Sequence, residues 1–372
     1  MKILYLFRSL AIWGGIERVL VEKMNYLSIE YGYEIHMITT DQCAHPFPYN
    51  VNNSVYLEDL NIGFYRQYNY HGLKRLVFLY KMIRQYESLL SDRLKKINPD
   101  IIVCTTSDRI GSIARIKGKI PMVVESHSIC QPTINYGRNW LHRSIRKFYL
   151  FKALSKVDAF VALTEGDAKE WRNYLPNVKI IPDVIMSNWK SVSSLSSKRV
   201  IFVGRFDYQK RVQDAIDIWR IVNKRHPDWI LDIYGDGDMK DEIQKLVEDV
   251  EGICLHSPTK DIFGCYLNSS ILIMTSIFEP FGLVLPEAMS CGVPVVAYNC
   301  PYGPSEIITD GVDGFLVEKK NKEKFVYRIC QLIENRNLRI DMGAAAYISS
   351  QRYRAEYIMP QWKRLFKDII LL

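Results

Sequence analysis

The residues best suited to chemistry lie in one stretch, Ser276 to Ala297, where two carboxylates, Glu279 and Glu287, frame a Phe281-Gly282 turn. Gly282 admits close approach of backbone to a ligand. Leu283 to Met289 is compatible with a helix that tolerates Pro286 in its first turn and stops near Gly292. The amides of Gly282, Leu283 and Val284 then form a helix start, with unpaired donors and a positive dipole end that suit a phosphate or diphosphate. Glu287, about one turn further on, can accept both hydroxyls of a ribose, as an acidic residue does in dinucleotide-binding folds.

Other candidates stand just past apolar runs. Arg205 and Lys210 follow Val200-Ile201-Phe202-Val203, and His127 follows Met122-Val123-Val124. Gly14-Gly15 separates the run Ile3 to Phe7 from a segment in which Val19, Leu20, Lys23, Met24 and Leu27 keep a helical period. Taken singly, Arg205 and Lys210 are surface charges, His127 a structural histidine and Gly14-Gly15 a tight turn. They share a position at strand ends, and loops there line the ligand crevice of an open α/β sheet.

The elements that must position these residues alternate along the chain. Strand-like runs recur at Glu34 to Thr40, Ile101 to Cys104, Ala159 to Leu163, Lys179 to Ile185, Trp229 to Tyr234, Gly252 to His256, Ile271 to Met274 and Val293 to Ala297. Amphipathic segments fall between them; Val212, Ala215, Ile216, Trp219 and Val222, for instance, share one helical face. Alternation through both halves predicts α/β architecture with two doubly wound, Rossmann-like domains facing a cleft. The serine-rich segment 187–198 is expected to be the linker between a first domain, 1–186, and a second, 199–354. A last helix, 355–372, carries Ile358, Trp362, Leu365, Phe366 and Ile369 on one side and is expected to return to the first domain.

The paired glutamates, the Phe-Gly between them and the run Ala-Met-Ser-Cys-Gly-Val-Pro-Val-Val resemble the motif of the retaining glycosyltransferases of family 4, which have the GT-B fold. The resemblance covers the second half closely, and the first through Gly14-Gly15, His127 and strand order. It implies a retaining, metal-independent hexosyltransferase. Arg205 and Lys210 would grip the donor diphosphate, with Glu287 on the ribose and Glu279 on the sugar hydroxyls. His127 would contact the sugar, Gly14-Gly15 would lie against sugar and phosphate, and the base would sit near Ser257 to Lys260. The family has Asn where this chain has Asp183, which leaves the role of that position open.

The loop Cys300-Pro301-Tyr302-Gly303-Pro304-Ser305-Glu306 is similar to that of bacterial polysaccharide transferases that use UDP-sugars, and Ser305 is placed to cap a helix. Gly235-Asp236-Gly237-Asp238 imitates the Asp-x-Asp metal motif of another glycosyltransferase class, but it is expected to be a turn. With Arg205 and Lys210 in the cation role, no metal and no cofactor are expected.

Composition sets outer limits. The chain has 372 residues, 48% of them hydrophobic, enough for two cores. Its eight cysteines are scattered singly, without metal-ligand spacing, as in a reducing cytoplasm. No secretory signal and no run of about 18 apolar residues is present. The net charge of +8 arises in the first half, with 25 Lys+Arg against 17 Asp+Glu over 1–186 and 24 against 24 beyond.

Two aromatic segments concentrate the charge. Phe64 to Lys96 has eight basic and two acidic residues; Arg138 to Lys156 has six basic and none acidic. Either they are helices with solvated basic faces, or they form a surface that lies on anionic lipid at the inner face of the membrane. No recognition motif accompanies the charge, so nucleic acid is not expected as a partner. The expected partners are a nucleotide-sugar donor and a saccharide acceptor, lipid-linked if the membrane reading holds. Two other readings remain: a non-catalytic nucleotide-sugar-binding module at the membrane, or a sugar-nucleotide epimerase on the same scaffold.

Overall fold

The computed structural model describes residues 1–106, 108–137, 139–186 and 191–371. Ser107, Arg138 and the first four residues of the expected linker, 187–190, lie outside them. The chain forms two compact units, Met1–Ile181 with Met359–Leu372, and Pro182–Ile358.

The first unit is built on a parallel sheet of seven strands: β1 (Lys2–Phe7), β2 (Glu34–Thr39), β3 (Val55–Asp59), β4 (Ile101–Thr105), β5 (Met122–Glu125), β6 (Ala159–Ala162) and β7 (Val178–Ile180). Their spatial order is β3-β2-β1-β4-β5-β6-β7. The central strands β4, β5 and β6 are buried throughout, which is why they appear as continuous apolar runs rather than alternating ones. Helix Gly15–Tyr31 buries Val19, Leu20, Lys23, Met24 and Leu27, and Lys23 is the charged member of an otherwise apolar stripe.

The second unit has six parallel strands, β8 (Arg199–Val203), β9 (Ile230–Tyr234), β10 (Ile253–His256), β11 (Ile271–Met274), β12 (Val295–Asn299) and β13 (Gly314–Glu318). The order β10-β9-β8-β11-β12-β13 reverses direction between β8 and β11. Chain connections diverge there, making it the topological switch point at which open α/β sheets bind their ligands. Helix Val212–Arg225 packs its predicted face into the core: Val212, Ala215, Ile216, Trp219 and Val222 are all buried. In the last helix, Ala355–Ile370, Ile358, Trp362, Leu365, Phe366 and Ile369 are buried as expected. One local expectation fails. Ser305 lies inside helix Gly303–Ile307, and its hydroxyl donates to the Tyr302 carbonyl at 3.0 Å instead of capping the helix.

Candidate active site

In the second unit the loops leaving β8 and β11 are fastened together at the switch point. Thr275 Oγ1 donates to the carbonyls of Lys210 and Arg211 at 3.0 and 2.9 Å. The Ile277 amide donates to the Gln209 carbonyl at 3.0 Å, and Gln209 Nε2 returns a bond to the Phe278 carbonyl at 3.0 Å. This fastening brings Lys210 Nζ to 2.6 Å from Glu279 Oε1, with the carboxylate almost wholly buried. Arg205, on the same loop as Lys210, is largely exposed and pairs with Asp207 at 3.1 Å.

The loop after β12 holds Glu279 from the other side. The Glu279 amide donates to the Pro301 carbonyl at 2.7 Å, and the amides of Tyr302 and Gly303 donate to the Glu279 carbonyl at 2.8 and 3.1 Å. A Cβ on Gly303 would stand 1.6 Å from the Phe281 carbonyl oxygen, so only glycine fits there. Gly282 has φ +92°, in the left-handed region, and turns the chain into helix Val284–Ser290. Among the described residues, the amides of Gly282, Leu283 and Val284 have no acceptor.

Glu287 is buried in that helix and accepts from the Tyr266 hydroxyl at 3.0 Å on Oε2. Tyr266 was not legible in the sequence because it belongs to a different helix, Ile262–Leu267; its one signal is an aromatic residue five positions after the Asp261 cap. At the end of β10, His256 Nε2 lies 2.7 Å from Asp232 Oδ1 and the ring stacks on Tyr234 at 4.4 Å. Asp232, Cys254 and His256 have the makings of a metal site, but Arg199 already takes both Asp232 oxygens, at 2.7 and 2.6 Å. Asp236 of the Gly-Asp-Gly-Asp loop accepts from the Gly237 amide at 2.8 Å and from Lys240 Nζ at 3.2 Å, as a turn requires.

The first unit has its own reversal, between β1 and β4. Gly14 precedes helix Gly15–Tyr31, and its carbonyl accepts from the Tyr49 hydroxyl at 3.1 Å. His127 follows β5, its Nε2 3.3 Å from Glu125 Oε2, and Lys23 pairs with the same oxygen. Burial alone would push the Glu125 carboxyl up. Lys23 and then His127 outweigh it and hold it below the usual carboxylate range. Asp108, accepting from Thr105 N at 2.6 Å and Oγ1 at 2.9 Å, is pushed up to about 7 by burial. Lys23 and Glu125 were absent from the sequence candidates. A lysine on an apolar helical stripe and a glutamate two residues before His127 were the available signals.

Comparison with known proteins supplies an independent line. The family model described as Glycosyltransferase Family 4 matches residues 13–185, and that of Glycosyl transferases group 1 matches 187–349. An uncharacterized glycosyltransferase of Haemophilus influenzae is 27% identical, over 97% of this chain and 99% of its own. The amylovoran biosynthesis glycosyltransferase AmsD of Erwinia amylovora is 28% identical over 97% and 98%. Among solved structures, a point mutant of S. aureus TarM in complex with fondaparinux, alpha-GlcNAc-glycerol and UDP superposes with a TM-score of 0.77 at 18% identity, covering 98% of this chain and 99% of that one.

Proposed function

The chain belongs to the family 4-like glycosyltransferases of GT-B fold, its two halves matching the two family models in turn, and from that premise we propose that it transfers a hexose from a UDP-sugar to a saccharide acceptor with retention of configuration. Glycosyl transfer in polysaccharide or glycan assembly is the common ground with its relatives. The donor, the stereochemical course and the acceptor are the added steps.

The observation that carries the donor site is the Lys210–Glu279 pair at the β8/β11 switch point, continuous in sequence with the three open amides at Gly282 to Val284. As the bond from the anomeric carbon to the diphosphate oxygen breaks, negative charge grows on the leaving group. Lys210, Arg205 and the amides supply fixed positive charge and donors for it, so no metal is needed. Glu287, steadied by Tyr266, takes the ribose hydroxyls. Glu279 offers the oxygen not paired with Lys210 to the sugar hydroxyls. Gly14-Gly15 and His127 are assigned the sugar contacts that the family resemblance implies.

Among the described residues, the two carboxylates of the site are both engaged, Glu279 by Lys210 and Glu287 by Tyr266, and neither is set up as a nucleophile. A front-face displacement follows. The acceptor oxygen bonds to the anomeric carbon on the face the diphosphate leaves, and the acceptor proton passes to the departing phosphate oxygen. UDP is the nucleotide of choice because the TarM complex contains it.

A lipid-linked acceptor at an anionic membrane surface completes the proposal. Helix Gly72–Ile97 turns Leu73, Leu76, Val77 and Tyr80 outward, 80, 62, 50 and 63% exposed, a helical stripe of apolar residues facing solvent rather than core. Helix Trp140–Leu154 likewise exposes Trp140, Leu141, Ile145, Phe148 and Tyr149. Lysines and arginines flank both stripes, as an interfacial helix requires. No helix among the described residues is long and apolar enough to cross a membrane.

The test is transfer from a UDP-sugar by Arg205→Ala and Glu287→Ala. Each is expected to lose about 10²–10³ in rate and to bind nucleotide more weakly, while the unaltered protein keeps its activity in EDTA. Full activity in both variants would overturn the assignment.

A further inference from the structure

Lys23 is 1% exposed, on the core-facing side of helix Gly15–Tyr31, far from where a lysine is usually tolerated. Its ammonium meets one carboxylate oxygen, Glu125 Oε2, and is otherwise walled by aromatic rings. Nζ is 4.0 Å from the Trp362 ring centroid and 5.7 Å from that of Tyr5. Trp362 comes from the last helix, in the returning segment Met359–Leu372 of the first unit.

The same Glu125 oxygen is the one His127 Nε2 approaches, while Oε1 has no hydrogen-bond partner among the described residues. Ammonium and imidazole are therefore coupled through a single atom, so the charge and position of Oε2 bear directly on the imidazole. We propose that Lys23 and Trp362 are positioning residues for His127, acting through Glu125. Trp362 caps the ammonium against water, Lys23 keeps Glu125 a carboxylate, and the carboxylate holds the His127 ring with its proton on Nε2.

The other groups around the cluster are consistent with this. Tyr5, on β1, is kept a neutral phenol, its pKa raised by burial and then by Glu125, and the Cys104 thiol on β4 is pushed up by burial. Asp108, from the loop after β4, is satisfied by Thr105. Lys23 is thus the cation to which the Glu125 charge answers first. The catalytic importance of His127 rests on the reading of the protein as a glycosyltransferase; the coupling of Lys23 to it does not.

The experiment is the imidazole ¹⁵N spectrum of the full chain without any donor or acceptor, with His127 assigned by the signals lost in His127→Gln. At neutral pH the unaltered protein is expected to show the Nε2-protonated tautomer. Lys23→Met removes the cation that balances Glu125. The pH at which His127 gives up its proton should then move by about one unit or more. Trp362→Leu, which leaves the ion pair in place but opens it to water, should move it in the same direction by less. A proton on Nδ1 in the unaltered protein overturns the proposal. So does an unmoved His127 in folded Lys23→Met or, should that variant not fold, in Trp362→Leu. Because no substrate is present, failure here is separate from failure of the transfer assay.

Discussion

The candidate site residues Glu279, Glu287 and His127 are each held by a neighbour of opposite or complementary character. Glu279 has Lys210, Glu287 has Tyr266 and His127 has Glu125. Such pairing fixes geometry before a ligand arrives, which is the condition for electrostatic stabilisation without reorganisation. Asp108, also held by Thr105, differs in its protonation, because burial raises its pKa to about 7 from an ordinary value near 3.8. The unfolded chain releases that proton near pH 4 while the folded chain keeps it until about 7. The folded state thus binds more protons across this window, and stability contributed by the protonated acid is lost as pH rises from 4 to 7. Asp108→Asn removes the dependence. Melting temperatures of variant and parent should diverge in the variant's favour between pH 4 and 8; parallel curves would contradict it. At this scale Glu279, Glu287, Arg205, Lys210 and His127 were nominated from the sequence, by residue type and position together with the family resemblance. Their partners were not. Lys210 and Glu279 are 69 residues apart, and only the placement of β8 beside β11 reveals the contact.

At the scale of elements, the site depends on three loops that converge at the carboxyl ends of β8, β11 and β12. The strands were readable because burial on both faces makes them continuous apolar runs, and helix Val212–Arg225 because its buried face keeps the helical period. Loop geometry was not readable in the same way. Ser305 has the residue type of a cap but lies one turn too far along, because Gly303 must enter the helix where the Phe281 backbone passes. That close approach yields a sharp expectation. Gly303→Ala would drive a methyl into the Phe281 carbonyl and push the Pro301–Gly303 segment off Glu279, with no contact to Lys210 or Glu287 altered in type. Nucleotide affinity and rate should each fall at least about tenfold, with a lower melting temperature, by calorimetry and steady-state assay. An active Gly303→Ala protein would show that the third loop does not hold the site.

For the whole molecule, the two units differ in what they expose. Charge is balanced over 187–372, with 24 Lys+Arg against 24 Asp+Glu, whereas the first unit carries the basic excess and two outward apolar stripes. Both basic segments could have been solvated helix faces. The exposure of Leu73, Leu76, Val77 and Tyr80 on one stripe, which no core contact explains, favours a lipid surface. Co-sedimentation with vesicles containing anionic lipid should be lost in a Leu76→Ser, Tyr80→Ser double variant and weakened by salt, and it should be absent with purely zwitterionic vesicles. Equal pelleting of variant and parent would remove the surface from the account. The central claim, a nucleotide-sugar site at the β8/β11 switch point, is tested most directly by isothermal titration of UDP-, GDP- and ADP-sugars into the full chain in EDTA. A UDP-sugar is expected to bind the parent protein and to bind Glu287→Ala at least about tenfold more weakly. The claim is contradicted if no nucleotide-sugar binds the folded parent, or if Glu287→Ala binds with the parent's affinity.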